Sequence, residues 1–461
     1  MVFSSNIFIF FFLPVVLVAY YLAPRRLRNP VLLVFSLFFY AWGEPVYLLL
    51  MLLTIMVNYL CGNMIYARRQ RGQSGKAILL VSVVINLGLL GYFKYAGFFA
   101  ETFNAFLPQR LHIPIVSIAL PIGISFYTFQ AMSYTIDVYR GQVPAQKNLI
   151  SFGTYVALFP QLIAGPIVRY KDVAQQLDER RETMERFSHG VVFFIIGLGK
   201  KVILANKMGA LWEVLSVEGG ALSAWVGMLA YTLQIYFDFS GYSDMAIGLG
   251  RMFGFEFLKN FDYPYIASSI TEFWRRWHIS LSTWFREYVY IPLGGNRRGI
   301  KRQLLNLFIV WSLTGLWHGA SWNFVLWGLY YAVLLSCEKL FLLRLTEKVP
   351  KPIKVIAVVL AAGLGWMLFY FTDTTQLAGF FGRMFSFSRE NAYSLNMILA
   401  YLPMLALALL GATPLVKKSF ERIKPCPAKA LLLILWLAGT LLLCVAALTS
   451  ESYNPFIYFR F

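Results

Sequence analysis

The chain has 461 residues, of which 59% are hydrophobic and 17% aromatic, whereas only 14% are charged. Apolar runs without charges recur from one end to the other, which excludes a soluble globular protein and is typical of a polytopic membrane protein. The net charge of +19 comes from Lys and Arg residues in short loops between these runs. Membrane topology explains that charge, so nucleic acid is not an expected partner.

The apolar stretches predict about 11–12 transmembrane or re-entrant helices, because roughly 20 apolar residues cross the hydrocarbon of a bilayer. In chain order they are residues 7–23, 31–61 as a hairpin, 77–98, 115–136, 148–166, 189–205, 221–237, 304–336, 353–371, 396–415 and 430–448. The predicted fold class is therefore an all-α polytopic membrane protein. No stretch is long and polar enough for a soluble domain, so residues 1–461 are predicted to form a single membrane domain.

Basic clusters predict which loops face the cytoplasm. Two of them, within 25–28 and 68–76, follow the first apolar stretch and the hairpin. They place both loops inside and the N-terminus outside. The first stretch has neither a basic region before it nor a cleavage site after it, so we interpret it as a retained span. The polar segment 169–186 is interpreted as a solvated cytoplasmic loop or a surface helix.

Several familiar catalytic patterns are absent from the sequence. It contains no G-x-S-x-G elbow, no G-x-x-x-x-G-K-[ST] phosphate loop and no H-E-x-x-H pair. These absences argue against hydrolase, ATPase and metalloprotease classes. The four cysteines stand far apart, so neither a disulfide framework nor a metal site is expected.

His318 stands within an apolar run, residues 304–337, that contains no Asp, Glu, Lys or Arg. An ionisable group within a membrane run is costly to place and marks a functional site by default. Gly315 and Gly319 form a small-xxx-small pair that lets another backbone or a substrate approach closely. The structural alternative is a neutral histidine hydrogen-bonded between helices, and position alone does not decide between the two.

A helix predicted over 271–288 mixes aromatic and charged residues. It would place Glu272 and Arg276 on one face and Trp274 and His278 on another. Its charges exclude a lipid-facing position, so it would lie along the interface or enter a polar cavity. His278 is the second candidate for chemistry, with a satisfied core histidine as its alternative.

Two carboxylates, Asp238 and Asp244, lie at the end of an apolar run beside Gly241, where a helix break is predicted. They are interpreted either as capping groups near the interface or as a proton or ion relay of the kind found in transporters.

Five short motifs spread over nearly the whole chain carry a family resemblance. They are MVFSSN at 1–6, FPQ and GP within 159–166, DFSGYSD at 238–244, FWRRWH at 273–278 and GLWHG at 315–319. In this order and spacing they resemble the alginate O-acetyltransferase branch of the membrane-bound O-acyltransferase family, whose relatives include the D-alanyl transferase of teichoic acids.

The resemblance implies a ring of helices around a central funnel or tunnel, which joins a cytoplasmic acyl donor to an outward-facing acceptor. It matches His318 to a near-invariant intramembrane histidine and His278 to a second one. It implies no bound cofactor, with acetyl-CoA or another acyl thioester as co-substrate. The implied partners are membrane lipids, a polysaccharide and an extracytoplasmic acetyltransferase or esterase-like protein of the SGNH type, at the inner or plasma membrane.

The final residues 456–461, FIYFRF, fit the F-x-Y-x-x-F ending of this group. In the D-alanylation system a similar ending on a small partner peptide carries the acyl group on its tyrosine. The resemblance therefore implies that Tyr458 relays the acyl group. Its alternative is an aromatic anchor at the membrane interface.

The predicted function is a membrane O-acyltransferase that moves an acetyl group from a cytoplasmic thioester toward an extracytoplasmic polysaccharide. His318, as general base, His278 and Tyr458 are the candidate catalytic residues. The candidate substrate-binding residues are Trp317, Trp274, Arg275, Arg276, Asp238 and Asp244. The rival class is a transporter or lipid-linked glycan flippase, and a structural partner of a synthase complex is a third interpretation.

Overall fold

A computed structural model describes residues 1–115, 118–163, 165–386, 389–450 and residue 457. Within these ranges every regular element is helical and none is a strand, which confirms the predicted all-α class. The chain folds into two compact units. One comprises Met1–Phe194 and Met245–Leu258, and the other comprises Ile195–Asp244 and Lys259–Phe461.

Nine described α-helices lie wholly in the first unit. They are α1 (Leu13–Leu22), α2 (Arg28–Ala41), α3 (Leu48–Gln70), α4 (Lys76–Leu90), α5 (Ala96–Asn104), α6 (Ile124–Arg140), α7 (Leu149–Ala157), α8 (Phe159–Leu162) and α9 (Tyr170–Glu179). Two further helices, α10 (Met184–Gly199) and, later in the chain, the long helix Ala221–Met252, contribute residues to both units.

The remaining α-helices belong to the second unit. In chain order, with the long helix numbered α12, they are α11 (Asn206–Leu215), α13 (Ile270–Arg276), α14 (Ile279–Phe285), α15 (Gly299–His318), α16 (Trp322–Cys337), α17 (Leu343–Leu345), α18 (Lys351–Tyr370), α19 (Thr374–Met384), α20 (Ala392–Gly411), α21 (Leu415–Arg422) and α22 (Pro427–Ser450). Five π-helical turns occur in the described ranges, at Phe8–Phe12, Gly91–Tyr95, Lys200–Ala205, Arg286–Tyr290 and Glu338–Leu342.

Seven helical runs among the described residues are long and apolar enough to cross a membrane. They are Leu48–Gln70, Lys76–Asn104, Met184–Leu215, Trp322–Leu345, Lys351–Tyr370, Ala392–Gly411 and Pro427–Ser450. Phe8–Leu22 is a shorter apolar run. The chain is thus a multi-pass membrane protein. The ring of helices, the central funnel and the single-domain organisation stay predictions.

Three predicted apolar stretches are not continuous helices among the described residues. In the stretch 115–136 the first described helical residue is Ile124, and the stretch 304–336 is interrupted between His318 and Trp322. The stretch 148–166 breaks at Leu158, two residues before Pro160, which lacks the amide hydrogen that a continuous helix needs. Hydropathy detects the apolar content of such stretches but not these interruptions.

The polar segment 169–186 is less exposed than predicted. It does contain a helix, α9, but two of its charged side chains beyond α9 are mostly buried, with Arg180 6% and Glu182 8% exposed. The Tyr20 hydroxyl donates a hydrogen bond to Glu182, and the Arg28 guanidinium lies 2.6 Å from the same carboxylate. This segment therefore ties α1 and α2 together rather than lying free in solvent.

The predicted helix break at Gly241 is wrong, because α12 runs through it without interruption. A Cβ atom on Gly241 would lie 2.7 Å from the carbonyl oxygen of Gly197 and 3.0 Å from the amide nitrogen of Lys201. Gly241 therefore permits close packing of two helical backbones instead of ending a helix.

Candidate active site

The hairpin of α15 and α16 places His318 at its turn. A Cβ atom on Gly315 would lie 2.3 Å from the carbonyl oxygen of Phe324, and one on Gly328 would lie 2.3 Å from that of Trp311. Gly315, one member of the predicted small-xxx-small pair, and Gly328 thus let the two backbones touch, whereas Gly319, the other member, lies against the Phe324 ring. His318 is the last residue of α15 and is buried.

The hydrogen bond of the His318 ring determines which nitrogen can act as a base. Its Nδ1 lies 2.7 Å from the carbonyl oxygen of Thr314, one turn earlier in α15. A carbonyl oxygen only accepts hydrogen bonds, so a neutral ring carries its proton on Nδ1 and its lone pair on Nε2. Thr314 therefore fixes the tautomer in which Nε2 is the basic atom.

Aromatic rings surround His318. The ring centroids of Trp327, Trp317 and Phe369 lie 4.8, 5.0 and 5.5 Å from that of the imidazole. Trp317, one of the predicted substrate-binding residues, also lies 6.0 Å from His278. The two histidines thus share one aromatic neighbour.

The predicted continuous helix over 271–288 is wrong. The chain instead forms α13, a break at Trp277 and His278, α14, and a π-helical turn at Arg286–Tyr290. His278 has φ 45°, in the left-handed region, and it precedes the first residue of α14. Such a conformation is uncommon for a residue with a side chain, so neighbouring contacts must stabilise it.

Asn260 makes those contacts. Its backbone oxygen accepts from the Ile279 amide at 2.9 Å, and its side-chain oxygen accepts from the amide and the hydroxyl of Ser280 at 3.1 and 2.9 Å. The same Oδ1 lies 3.3 Å from Nδ1 of His278. Because the Ser280 amide identifies this atom as oxygen, it accepts from Nδ1 and leaves the lone pair of a neutral His278 on Nε2.

His278 lies in a nonpolar setting. It is 1% exposed, and the ring of Phe239 lies 4.7 Å away. Burial lowers the pKa of His278 well below its usual range, and a positive charge on His318 lowers it further. His278 is therefore neutral at physiological pH, and the two imidazoles are electrostatically coupled.

The three predicted residues before His278 have different surroundings. Trp274 packs against Trp311 at a centroid distance of 4.6 Å and belongs to the aromatic core. Arg276 is held by Glu272 at 2.9 Å and by Asp262 at 3.4 Å, so its charge is used within the protein. Arg275 is exposed and, among the described residues, has no carboxylate partner.

A cavity of about 220 Å³ adjoins His278. Its polar and charged lining comprises Thr271, Arg275, His278, Ser282, Arg286, Thr314 and Lys339. Its apolar lining comprises Trp274, Leu281, Phe285, Tyr290, Leu307, Val310, Trp311 and Leu335. The exposed Arg275 and Arg286 contrast with the buried His278, so the cavity leads from a cationic surface toward an imidazole.

Helix α15 directs this cavity toward His318. Leu307, Val310 and Thr314 line it at helical spacing, over a length of roughly 10 Å at 1.5 Å per residue. His318 is the next residue on that face and is bonded to Thr314. It is not itself a lining residue, so the cavity ends one helical turn before it.

The two predicted carboxylates are ion-paired. Asp238 lies 2.6 Å from the Lys201 ammonium, with both side chains almost fully buried, and Asp244 lies 2.6 Å from that of Lys200, with both partly exposed. Ile457 donates its amide hydrogen to Asp238 Oδ2 at 2.8 Å. Ile457 is the described residue of 456–461, and Tyr458 lies outside the described residues.

Sequence reasoning missed Asn260, Thr314, Lys201, Arg286 and Lys339. Lys201 was detectable, because a lysine in an apolar run is as costly to place in a membrane as a histidine and indicates a functional or paired group in the same way. The others carried no sequence signal, since their role depends on which groups the fold brings near. Within the described ranges, no group of three or more His, Cys, Asp or Glu side chains is placed to hold a metal ion.

Two buried imidazoles with defined tautomers lie in an all-helical multi-pass protein, and one of them lines a cavity that includes three cationic residues. Such an arrangement is suited to acid–base chemistry in a membrane enzyme. The chain belongs to the membrane-bound O-acyltransferase family, whose model matches residues 141–381. This membership makes it an O-acyltransferase and favours an enzyme over the transporter, flippase and structural alternatives.

Similar proteins have been assigned related transfers. The chain is 41% identical to a probable alginate O-acetylase, AlgI, of Pseudomonas putida over an alignment that covers 100% of both chains. It is 36% identical to the peptidoglycan O-acetyltransferase of Helicobacter pylori, over 74% of this chain and 71% of that protein. It is 29% identical to the teichoic acid D-alanyltransferase of Bacillus subtilis, over 51% of this chain and 62% of that protein.

Proposed function

We propose that this O-acyltransferase moves an acetyl group from a cytoplasmic thioester, by way of Tyr458, toward a polysaccharide on the other side of the membrane. The observation that carries the proposal is the buried His318 imidazole, whose proton is held on Nδ1 by the Thr314 carbonyl. The names of the alginate and peptidoglycan relatives support acetyl as the group and a glycan as the acceptor.

In the proposed first step, His318 Nε2 takes the proton of the Tyr458 hydroxyl. The phenolate oxygen bonds to the thioester carbonyl carbon, the carbon–sulfur bond breaks, and the thiolate leaves with the proton from His318. A phenol, with an ordinary pKa of about 10, loses its proton far more readily than a sugar hydroxyl. Tyr458 is therefore a chemically reasonable first acceptor.

In the proposed second step, an acceptor hydroxyl attacks the acetyl-tyrosine ester. The bond between the tyrosine oxygen and the acyl carbon breaks, and the tyrosine recovers a proton. An SGNH-type partner outside the membrane would assist this step. The donor then stays in the cytoplasm and only the acetyl group crosses. The proposal includes the orientation predicted from the basic loops, with the N-terminus outside, and a location in the inner or plasma membrane.

The donor site in this proposal is the cavity next to His278. Arg275, Arg286 and Lys339 supply positive charge suited to phosphate groups, and the aromatic lining suits an apolar arm. The volume of about 220 Å³ is below the range of about 300–1,000 Å³ for drug-sized ligands, so it accommodates part of the donor only.

The central experiment incubates the full chain in lipid nanodiscs with radiolabelled acetyl-CoA and determines the mass of its C-terminal peptide. A mass increase of one acetyl group on Tyr458 is the expected result. His318→Ala should reduce acetylation at least about 100-fold, since general bases contribute about 10²–10⁴. Tyr458→Phe should abolish it, whereas His112→Ala, in an exposed loop, should not change it. Unmodified Tyr458 during normal polymer acetylation would disprove the relay.

A second experiment tests the donor cavity. Arg275→Gln should raise KM for acetyl-CoA about tenfold with little change in kcat, because a phosphate contact contributes to binding but not to the reaction itself. The same variant should show no such penalty with S-acetyl-pantetheine, which has no phosphate. An equal KM increase for both donors would contradict phosphate binding by Arg275.

A further inference from the structure

Asp238 has both carboxylate oxygens engaged by groups of this chain. Oδ1 faces the Lys201 ammonium at 2.6 Å, and Oδ2 accepts the amide hydrogen of Ile457 at 2.8 Å. The side chains of Asp238 and Lys201 are 2% and 3% exposed, and Ile457 is buried. This carboxylate therefore holds protein groups rather than presenting itself to a solvent-borne substrate.

The contact brings together parts of the chain that are distant in sequence. Lys201 belongs to a π-helical turn, Asp238 to α12, and Ile457 follows α22 by seven residues. Close packing at Gly241, where a Cβ atom would lie 3.0 Å from the Lys201 amide nitrogen, lets the lysine approach α12. Helix α22 packs on the same π-helical turn. Ile457 is thus held beside the element that carries Lys201.

The chemistry of the Asp238–Lys201 pair suits stable binding of a backbone amide. A buried carboxylate needs a positive partner, which Lys201 supplies. Its second oxygen remains a strong acceptor, and charge-assisted hydrogen bonds are roughly twice as strong as neutral ones. A backbone amide has no side-chain requirement, so such an acceptor fixes the position of the chain at residue 457 irrespective of the side chains around it.

We propose that Asp238, paired with Lys201, is the docking site for the C-terminal segment of this same chain and a positioning residue for Tyr458, which directly follows Ile457. The consequence for Tyr458 rests on the proposed acyl relay, whereas the docking itself does not. Asp238 is accordingly assigned to holding the relay segment, not to binding donor or acceptor.

Hydrogen–deuterium exchange at the Ile457 amide tests the docking without any catalytic readout. Asp238→Asn must turn its NH₂ group toward either Lys201 or Ile457, both of which are donors, so one contact is lost. The Ile457 amide should exchange about tenfold faster or more. Adding Lys201→Gln should restore slow exchange in part, because the asparagine NH₂ can face the glutamine oxygen and its own oxygen can face Ile457.

Asp244 provides the matched control. It lies on the same helix and forms an equally short ion pair with Lys200. Asp244→Asn should leave the exchange of the Ile457 amide unchanged. Exchange in a folded Asp238→Asn protein that is as slow as in the wild type would overturn the docking proposal.

A third comparison covers the case in which Asp238→Asn fails to fold. Ile457→Pro removes the donated hydrogen from the tail alone, whereas Ile457→Val keeps it. Acetylation by the proline variant should fall at least about tenfold below that of the valine variant. Equal activity of the two variants, together with an inactive Tyr458→Phe, would overturn the positioning of Tyr458 by this contact. Normal acetylation by Tyr458→Phe would instead disprove the relay, while the exchange data would still decide the docking.

Discussion

His278 adopts a left-handed backbone conformation, which costs a residue with a side chain on the order of 1–3 kcal/mol. Asn260 offsets this cost through hydrogen bonds to Ile279 and Ser280, and it also contacts the imidazole. One amide side chain thus sets both the backbone turn and the tautomer of His278. Asn260 is therefore a positioning residue for this histidine.

Replacing Asn260 should alter the pH dependence of acetyl transfer. Asn260→Asp keeps the acceptor oxygen but adds a negative charge beside the ring, which favours the protonated imidazole and raises the pKa of His278. Since burial holds that pKa low in the wild type, His278 stays neutral there. The variant should therefore lose activity as pH falls, with its acid limb at higher pH than in the wild type.

The measurement is the pH profile of kcat/KM for labelled acetyl transfer. Asn260→Ala serves as the comparison, because it removes the acceptor without adding charge. It should lower activity at every pH without moving the acid limb. Identical profiles for the aspartate variant and the wild type would contradict the assigned contact between Asn260 and His278.

The sequence indicates His318 and His278 as candidates but does not indicate the groups that hydrogen-bond to them. His318 stands out because it is the ionisable group of an apolar run. Thr314 and Asn260 act through a carbonyl and an amide oxygen, atoms whose role depends on which ring nitrogen the fold places near them. Substrate binding by Asp238 stays a prediction, and the docking proposal gives this residue a different role.

The hairpin of α15 and α16 depends on contact between two backbones at Gly315 and Gly328. Because the helices touch there, the position of His318 at the end of α15 is set by the path of α16. A side chain at either glycine must push the two helices apart. This separation would displace the residues at the turn, including His318.

Gly315→Ala should destabilise the protein, because its methyl group would meet the Phe324 carbonyl oxygen at 2.3 Å. Overpacking of this kind costs about 1–3 kcal/mol, which corresponds to a melting temperature several degrees lower. Thermal unfolding of the detergent-solubilised protein checks this. Gly439→Ala in α22 is the control, since nothing lies within 4 Å of its Cβ position and alanine favours a helix. Equal melting temperatures for both variants would contradict the close contact.

The predicted helix over 271–288 shows where pattern reasoning fails at the level of elements. Its spacing of aromatic and charged residues is genuinely helical, and α13 and α14 are both present. The break at His278 comes from contacts with Asn260, a residue 18 positions earlier in the chain. Local periodicity carries no information about such a partner. The same limit explains the undetected turn that separates α15 from α16.

At the scale of the whole molecule, acid stability should depend on Glu182 in the first unit. Burial disfavours its charge, but hydrogen bonds from Tyr20 and Arg28 outweigh burial and lower its pKa. A lowered folded pKa stabilises the protein above the ordinary value of about 4.3, and this stabilisation is lost as pH falls through the folded pKa.

Glu182→Gln should therefore lower the free energy of unfolding by about 2 kcal/mol at pH 7. The difference from the wild type should shrink as pH falls below the ordinary glutamate pKa of about 4.3 toward the lowered pKa of folded Glu182. Melting temperatures measured from pH 7 to 3.5 check both points. Glu256→Gln, which removes an exposed pair with Arg186, should change little at any pH. A gap between Glu182→Gln and the wild type that stays constant with pH would contradict this role.

Composition was sufficient for the class of molecule, because apolar runs in this number fit only a multi-pass helical protein. It could not give the division of the chain into two compact units, which depends on contacts between distant segments. Accessibility labelling of single cysteines tests the predicted membrane orientation, in which the N-terminus is outside and the basic loops within 25–28 and 68–76 are inside.

The buried pair of Lys201 and Asp238 also constrains how this enzyme can change over generations. Losing either member alone would strand an uncompensated charge in a nonpolar interior, at a cost of about 3–5 kcal/mol. Most single substitutions at these positions should therefore be eliminated by selection. Divergent descendants should retain both residues or replace both together, so the two positions should co-vary.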